Sequence, residues 1–281
     1  MQVNTKRLLF CRMHLQKMNH IEDVGVTGIA KLLNNFYISY ENSNQIDVFE
    51  TCLPHKRTSR IDVQGVDSND IKDIASCAVN HLLYVSDNGN QCVWRIDFNL
   101  DRSQTISRFA IVEGPCTLSV GSDGRLLVVS RHHNRVDIFH HKGYRLNCVH
   151  ATPEMSYILH AIESGRGTIL VSHGYVDFVQ HKVCEFSADG KSIIRSYGGM
   201  CGYGQFELYQ PEYMATNLSD QCVFVADSGN ERIQLLDKEL VLKSTIPTKG
   251  FRAWRLFYDS KDKLLIVGAS MYGLKIISVY Q

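Results

Sequence analysis

The five residues Arg131-His-His-Asn-Arg135 form the densest run of chemically capable side chains in the sequence. Guanidiniums can grip a carboxylate or phosphate through a two-pronged fork, and imidazoles can move protons near neutral pH or bind a metal. His160, His173, Tyr175, Tyr213, Arg232, Arg252, Trp254 and Arg255 extend the set. Basic side chains interleaved with aromatics suit stacking on exposed bases or holding an acidic peptide. His132, His133, His160, His173 and His181 offer a second chemistry, a zinc centre, which in a catalytic site needs three converging protein ligands. Their positions do not recur in step with one another, so no metal ligand, cofactor-binding residue or catalytic residue is assigned.

Two other stretches invite a chemical reading and lose it. Asp87 and Asp227 each open an Asp-x-Gly-Asn segment. Turn chemistry accounts for those residue types, because an Asp side chain caps its own turn and glycine supplies a positive φ. The run Gly198-Gly-Met-Cys-Gly-Tyr-Gly204 lacks the Lys-Ser/Thr and the helix of a phosphate-binding loop, and no Gly-x-Ser-x-Gly occurs.

The elements that must position these residues are repeats. Val223–Ala226 and Ile233–Leu236 are short β-rich runs joined by the Asp227–Asn230 turn. The pattern returns at Leu82–Asp87, Leu126–Ser130 and Ile169–His173, and more weakly at Phe36–Tyr40 and Leu264–Ala269. The markers Tyr40, Asp87, Ser130, His173, Asp227 and Ala269 lie 42 to 54 residues apart. That period, with several β-branched strands in each unit, predicts propeller blades. The third unit shows four strands at Thr117–Val120, Leu126–Ser130, Arg135–His140 and Tyr144–His150, with turns at Asp123-Gly124 and Lys142-Gly143.

The last unit supplies only Arg255–Tyr258, Leu264–Val267 and Lys275–Val279, so Lys6–Cys11 is expected to complete it and close the ring. The expectation is therefore an all-β, six-bladed propeller of four-stranded antiparallel blades, one domain over residues 1–281. In such a ring the second-to-third-strand turns share a face with the links between blades, and that face collects the candidate residues. For the aromatics on that face, Phe206 and Trp254 above all, packing between blades is the alternative to contact with a partner.

The chain has 281 residues, 44% of them hydrophobic, and a net charge of +1, a balance that argues against a nonspecific polyanion binder. No apolar run has the length of a membrane span or of a signal peptide, so a cytoplasmic protein with no membrane partner is expected. Nine scattered cysteines with no Cys-x-x-Cys spacing read as reduced thiols.

Val225-Ala-Asp-Ser-Gly-Asn-Glu-Arg-Ile-Gln234, preceded by Gly204-Gln-Phe206 and Pro211, resembles the NHL repeat, and Val85–Asn90 resembles it too. The resemblance implies a six-bladed recognition propeller similar to the C-terminal domain of tripartite-motif proteins. RING, B-box and coiled-coil segments precede that domain in the family, and none occurs here. The resulting expectation is a monomeric, non-enzymatic module that binds a protein or peptide partner through the face bearing Arg131, His132, His133 and Arg135, with ubiquitin-ligase substrate recognition implied by the family. Single-stranded RNA binding and mRNA regulation on the same face is one alternative. A metal-dependent lyase or hydrolase at the channel mouth is the other.

Overall fold

A computed structural model describes residues 11–12, 24–52, 55–66, 70–99, 103–155, 157–175, 179–270 and 274–279. The short β-branched runs pair as antiparallel ladders, and the polar turns between them reverse the chain. Five blades are each built from four consecutive strands in sequential order. Their innermost strands are Val26–Leu32, Ile71–Cys77, Pro115–Val120, Ile158–Glu163 and Pro211–Asn217. A further sheet contains Ala253–Asp259, Leu264–Ala269 and Leu274–Val279, with Cys11–Arg12 on its edge.

The coarse expectation holds, since the fold is an all-β propeller of four-stranded antiparallel blades. The last sheet departs from the others. Its fourth strand is two residues long, with Cys11 opposite Val279 and Arg12 opposite Ser278. The rest of the Lys6–Cys11 run lies outside the described residues. No α-helix is present among the described residues, and none is long and apolar enough to cross a membrane.

Each second strand is sandwiched between neighbouring blades, which is why these strands are continuous apolar runs. Leu82–Asp87 and Cys222–Asp227 are buried along their whole length. Among the described residues, six apolar clusters fill the gaps between successive sheets. Val48 and Ile74 meet between blades one and two, Tyr84 and Leu126 between two and three, and Met214 and Leu170 between five and four. The last sheet packs on blade five through Leu256 and Phe224, and on blade one through Ile266 and Phe36. Burying each such side chain contributes on the order of 1.5–3 kcal/mol.

The turn reading of Asp87 and Asp227 is right about the acids and wrong about the glycines. Asp87 accepts hydrogen bonds from the Asn90 amide at 3.1 Å and the Trp94 indole at 2.9 Å. Asp227 accepts from the Tyr209 amide at 2.7 Å and from Arg232 Nε at 2.6 Å. Positive φ falls on Gln91 (52°) and Glu231 (47°), one residue beyond each Asn. Gly229 is needed for space instead, because a Cβ there would stand 2.7 Å from the Tyr209 carbonyl oxygen. By contrast, Gly124 and Gly143 do sit at positive φ (81° and 95°), as their turns predict.

Every innermost strand breaks register at its start. The break falls between the first and third residues in five of them, as at Ile71/Asp73 and Pro211/Tyr213, and between Pro115 and Leu118 in blade three. A bulge re-aims the side chains around it. Its recurrence stacks the channel into tiers.

Candidate functional site in the central channel

Second residues of the innermost strands form the upper tier: Thr27, Lys72, Cys116, Glu212 and Trp254. They line a cavity of about 290 Å³, joined by Glu41, Asp70, Arg131, Tyr175 and Arg255. All five blades and the last sheet contribute to this mouth. Lys72 is paired with Asp70, whereas no hydrogen bond or ion pair from a described residue reaches the Glu212 carboxylate. Arg131 lies over the Tyr157 ring at 5.5 Å, with its Nε buried and without a hydrogen-bond partner among the described groups. Burial pushes the Glu212 pKa up, against the pull of Arg131, Arg255 and Arg252. The Cys116 thiol is pushed up by burial as well, so it stays protonated at neutral pH.

Third residues form the waist: Asp73, His160, Tyr213 and Arg255. Asp73 is fully buried and accepts from Tyr213 Oη at 2.9 Å, from the Leu118 amide at 2.9 Å and from its neighbour's amide, Ile74, at 2.8 Å. Arg255 Nε stands 3.8 Å from the same carboxylate, and the guanidinium lies 5.1 Å from the Tyr213 ring centre. It also donates to the Trp254 and Lys72 carbonyls, each at 2.8 Å. Burial raises the Asp73 pKa to about 6 despite Arg255. The His160 ring stacks on Tyr213 at 3.6 Å, its Nδ1 accepting from the Met214 amide at 3.2 Å. Burial, with Arg255 nearby, lowers its pKa to about 3, so it is neutral.

Of the residues singled out from sequence, the mouth gathers Arg131, Tyr175, Trp254 and Arg255. Tyr213 and His160 sit below it in the waist rather than on an open face. Arg135 and His133 turn outward into a separate groove on blade three, where Arg135 pairs with Asp137 at 2.9 Å and His133 with Glu113 at 2.8 Å. His132 is exposed and lies against Gly114. Arg232 is structural, holding Asp227 and the carbonyls of Gly204 (2.8 Å) and Glu207 (2.7 Å). Arg252 is exposed beside the mouth.

Phe206 is 63% exposed and packs between no blades, while Trp254 is half-buried at the mouth. His173 is buried where blade four's second strand ends, opposite Lys182 and Ile158. His181 accepts from the Gln210 amide at 2.9 Å and lies 3.0 Å from the Tyr175 carbonyl. His133, His160 and His181 thus serve separate local bonds. Among the described residues no three His, Cys, Asp or Glu side chains converge to hold a metal ion. The donor set does not fit catalytic zinc.

Glu212, Lys72 and Asp73 went unrecognised from sequence. The signal was available in the alignment of strand starts, since each is the second or third residue of its blade.

No protein family and no curated protein matches the chain in sequence. Solved structures do match in fold. Hydrazine synthase of Kuenenia stuttgartiensis aligns with a TM-score of 0.66 at 12% identity, over 92% of this chain and 97% of that one. A catalytically inactive virginiamycin B lyase from Staphylococcus aureus with quinupristin gives 0.68 at 10% identity, over 96% and 100%. A streptogramin B lyase gives 0.66 at 11% identity, over 97% and 98%. The chain is a β-propeller by every measure of its fold. Membership of the tripartite-motif family finds no support. The non-enzymatic expectation is also overturned, because proteins with the same fold along nearly their whole length are enzymes.

Proposed function

We propose that this chain is a propeller enzyme of the lyase type whose chemistry sits at the channel mouth, with Glu212 as the acid–base group. We read the last sheet as a sixth blade that closes the ring, and the repeats as NHL-like. The observation that carries the proposal is the Glu212–Arg131 pair. An acid with a raised pKa and a permanent cation line one cavity, and no hydrogen bond or ion pair from a described residue holds either charged group. Keeping ionised groups half-desolvated costs stability, and such arrangements cluster where a ligand completes them.

In an elimination, Glu212 takes a proton from the carbon beside a carbonyl. The C–O bond to the leaving oxygen breaks as the double bond forms, and Glu212 returns its proton to that oxygen. Arg131 holds the negative charge that develops on the carbonyl oxygen. The expected substrates are esters or lactones with a polar body, and two structural neighbours that carry the name lyase favour this class. No step runs through a metal.

Incubation with a panel of esters and lactones, quinupristin included, followed by mass spectrometry, tests the reading. A ring-opened lactone of unchanged mass with new C=C absorbance is the expected product. Gain of one water would mean hydrolysis instead. No product from any panel member would count against an enzyme of either kind.

A further inference from the structure

The channel widens again below the waist into a second cavity of about 330 Å³. The stacked rings of His160 and Tyr213 border it on the waist side. Its walls are apolar, made by Ile74, Leu118, Ile162, Met214, Leu256 and Phe257. Two of the hydroxyls on those walls have their protons already taken. Ser76 Oγ donates to the Lys31 carbonyl and Ser119 Oγ to the Ala161 carbonyl, each at 2.7 Å, so both hydroxyls meet a ligand with lone pairs. His160 contributes no positive charge, its Nδ1 being occupied by the Met214 amide.

Glu163 carries the one carboxylate among the described lining residues. Its carboxylate accepts from the Ser122 amide and, at 3.3 Å, from Arg125. That guanidinium is shared with Asp123, 2.6 Å away, so one cation stands between two carboxylates and the rim keeps a net negative charge.

From the apolar walls, the acceptor oxygens and the negative rim, we propose that this lower cavity binds a small apolar cation, an organic ammonium. Its hydrocarbon body replaces water against the channel wall, and its N–H groups are met by Glu163 and Ser119. An anion of the same shape is repelled by the rim charge and rejected. A neutral alcohol can donate to one oxygen but gains nothing from the rim charge. The site is distinct from the mouth, where cations predominate around Glu212.

Isothermal titration with phenethylammonium, 2-phenylethanol and 3-phenylpropanoate tests this directly. Wild type is expected to bind the ammonium at least about tenfold more tightly than the alcohol and to leave the carboxylate unbound. Glu163→Gln, which keeps the hydrogen-bonding shape, should weaken the ammonium about tenfold and leave the alcohol unchanged. Thr216→Phe, on the cavity wall, should abolish both and report independently if the rim loosens in the first variant. Equal affinity for ammonium and alcohol overturns the proposal. So does no ammonium binding at roughly 10 mM, or undiminished binding in both variants.

Discussion

Tyr213 donates a 2.9 Å hydrogen bond to Asp73 across the channel, joining side chains that lie 140 positions apart in the chain. The bond ties blade five to blade two through the waist, where Arg255 from the last sheet also reaches the carboxylate. With the Leu118 amide of blade three, four sheets thus meet on one buried acid. Tyr213→Phe should cost about 1–3 kcal/mol in chemical denaturation, because the buried carboxylate loses a donor. A loss below roughly 0.5 kcal/mol would mean that the remaining donors already satisfy it.

The same acid shapes the response to pH. Folded Asp73 titrates near 6 against an ordinary 3.8, so it keeps a proton that the unfolded chain has released. Its contribution to stability is fully present below about pH 4 and is lost as pH rises through about 6. His160 acts in the opposite sense. With a folded pKa of about 3 against 6.5, its contribution is present above pH 6.5 and lost as pH falls toward 3. The two slopes oppose each other in the wild type, so single variants must separate them. The stability of wild type minus that of Asp73→Asn should fall between about pH 4 and pH 6. A flat difference would show that Asp73 does not titrate there.

Glu212 can be read without a substrate. Carbon-13 titration should place its carboxyl above the usual range, since burial disfavours its charge. Arg131→Leu should move it higher still, because that cation pulls it down. No change on removing Arg131 would show that the two groups do not share the mouth.

Glycines 167 and 229 should behave differently when replaced by alanine. Gly167 has φ of 74° with nothing within 4 Å of an added Cβ, so the cost is backbone strain of about 1 kcal/mol. At Gly229 the added Cβ runs into the Tyr209 ring and carbonyl, and the turn must open. A larger loss for Gly229→Ala in thermal unfolding is the expected order.

Sequence reasoning reached the fold because a propeller repeats its information. Leu126–Ser130 is bounded as its β-branched run predicts, and Asp227 fixed the register of the other units. The site was only half legible. Arg131 and Tyr175 follow the ends of second strands, and Trp254 and Arg255 fall at the start of the expected Arg255–Tyr258 strand, where turn counting can find them. Glu212 and Asp73 lie inside apolar strands, and only the bulge at each strand start turns such residues to the axis. Arg135 and Arg232 were misplaced for a related reason. A basic residue beside a turn is as useful for holding its own blade's Asp137 or Asp227 as for meeting a ligand.

The most direct test of a catalytic mouth is the relative kcat/KM of Glu212→Gln on any ester or lactone that the wild type consumes. The variant keeps the shape and hydrogen-bonding reach of the side chain but cannot accept the proton. A fall of about 10²-fold or more with unchanged thermal stability is the predicted result. Turnover within about twofold of wild type would place the chemistry elsewhere and contradict the account.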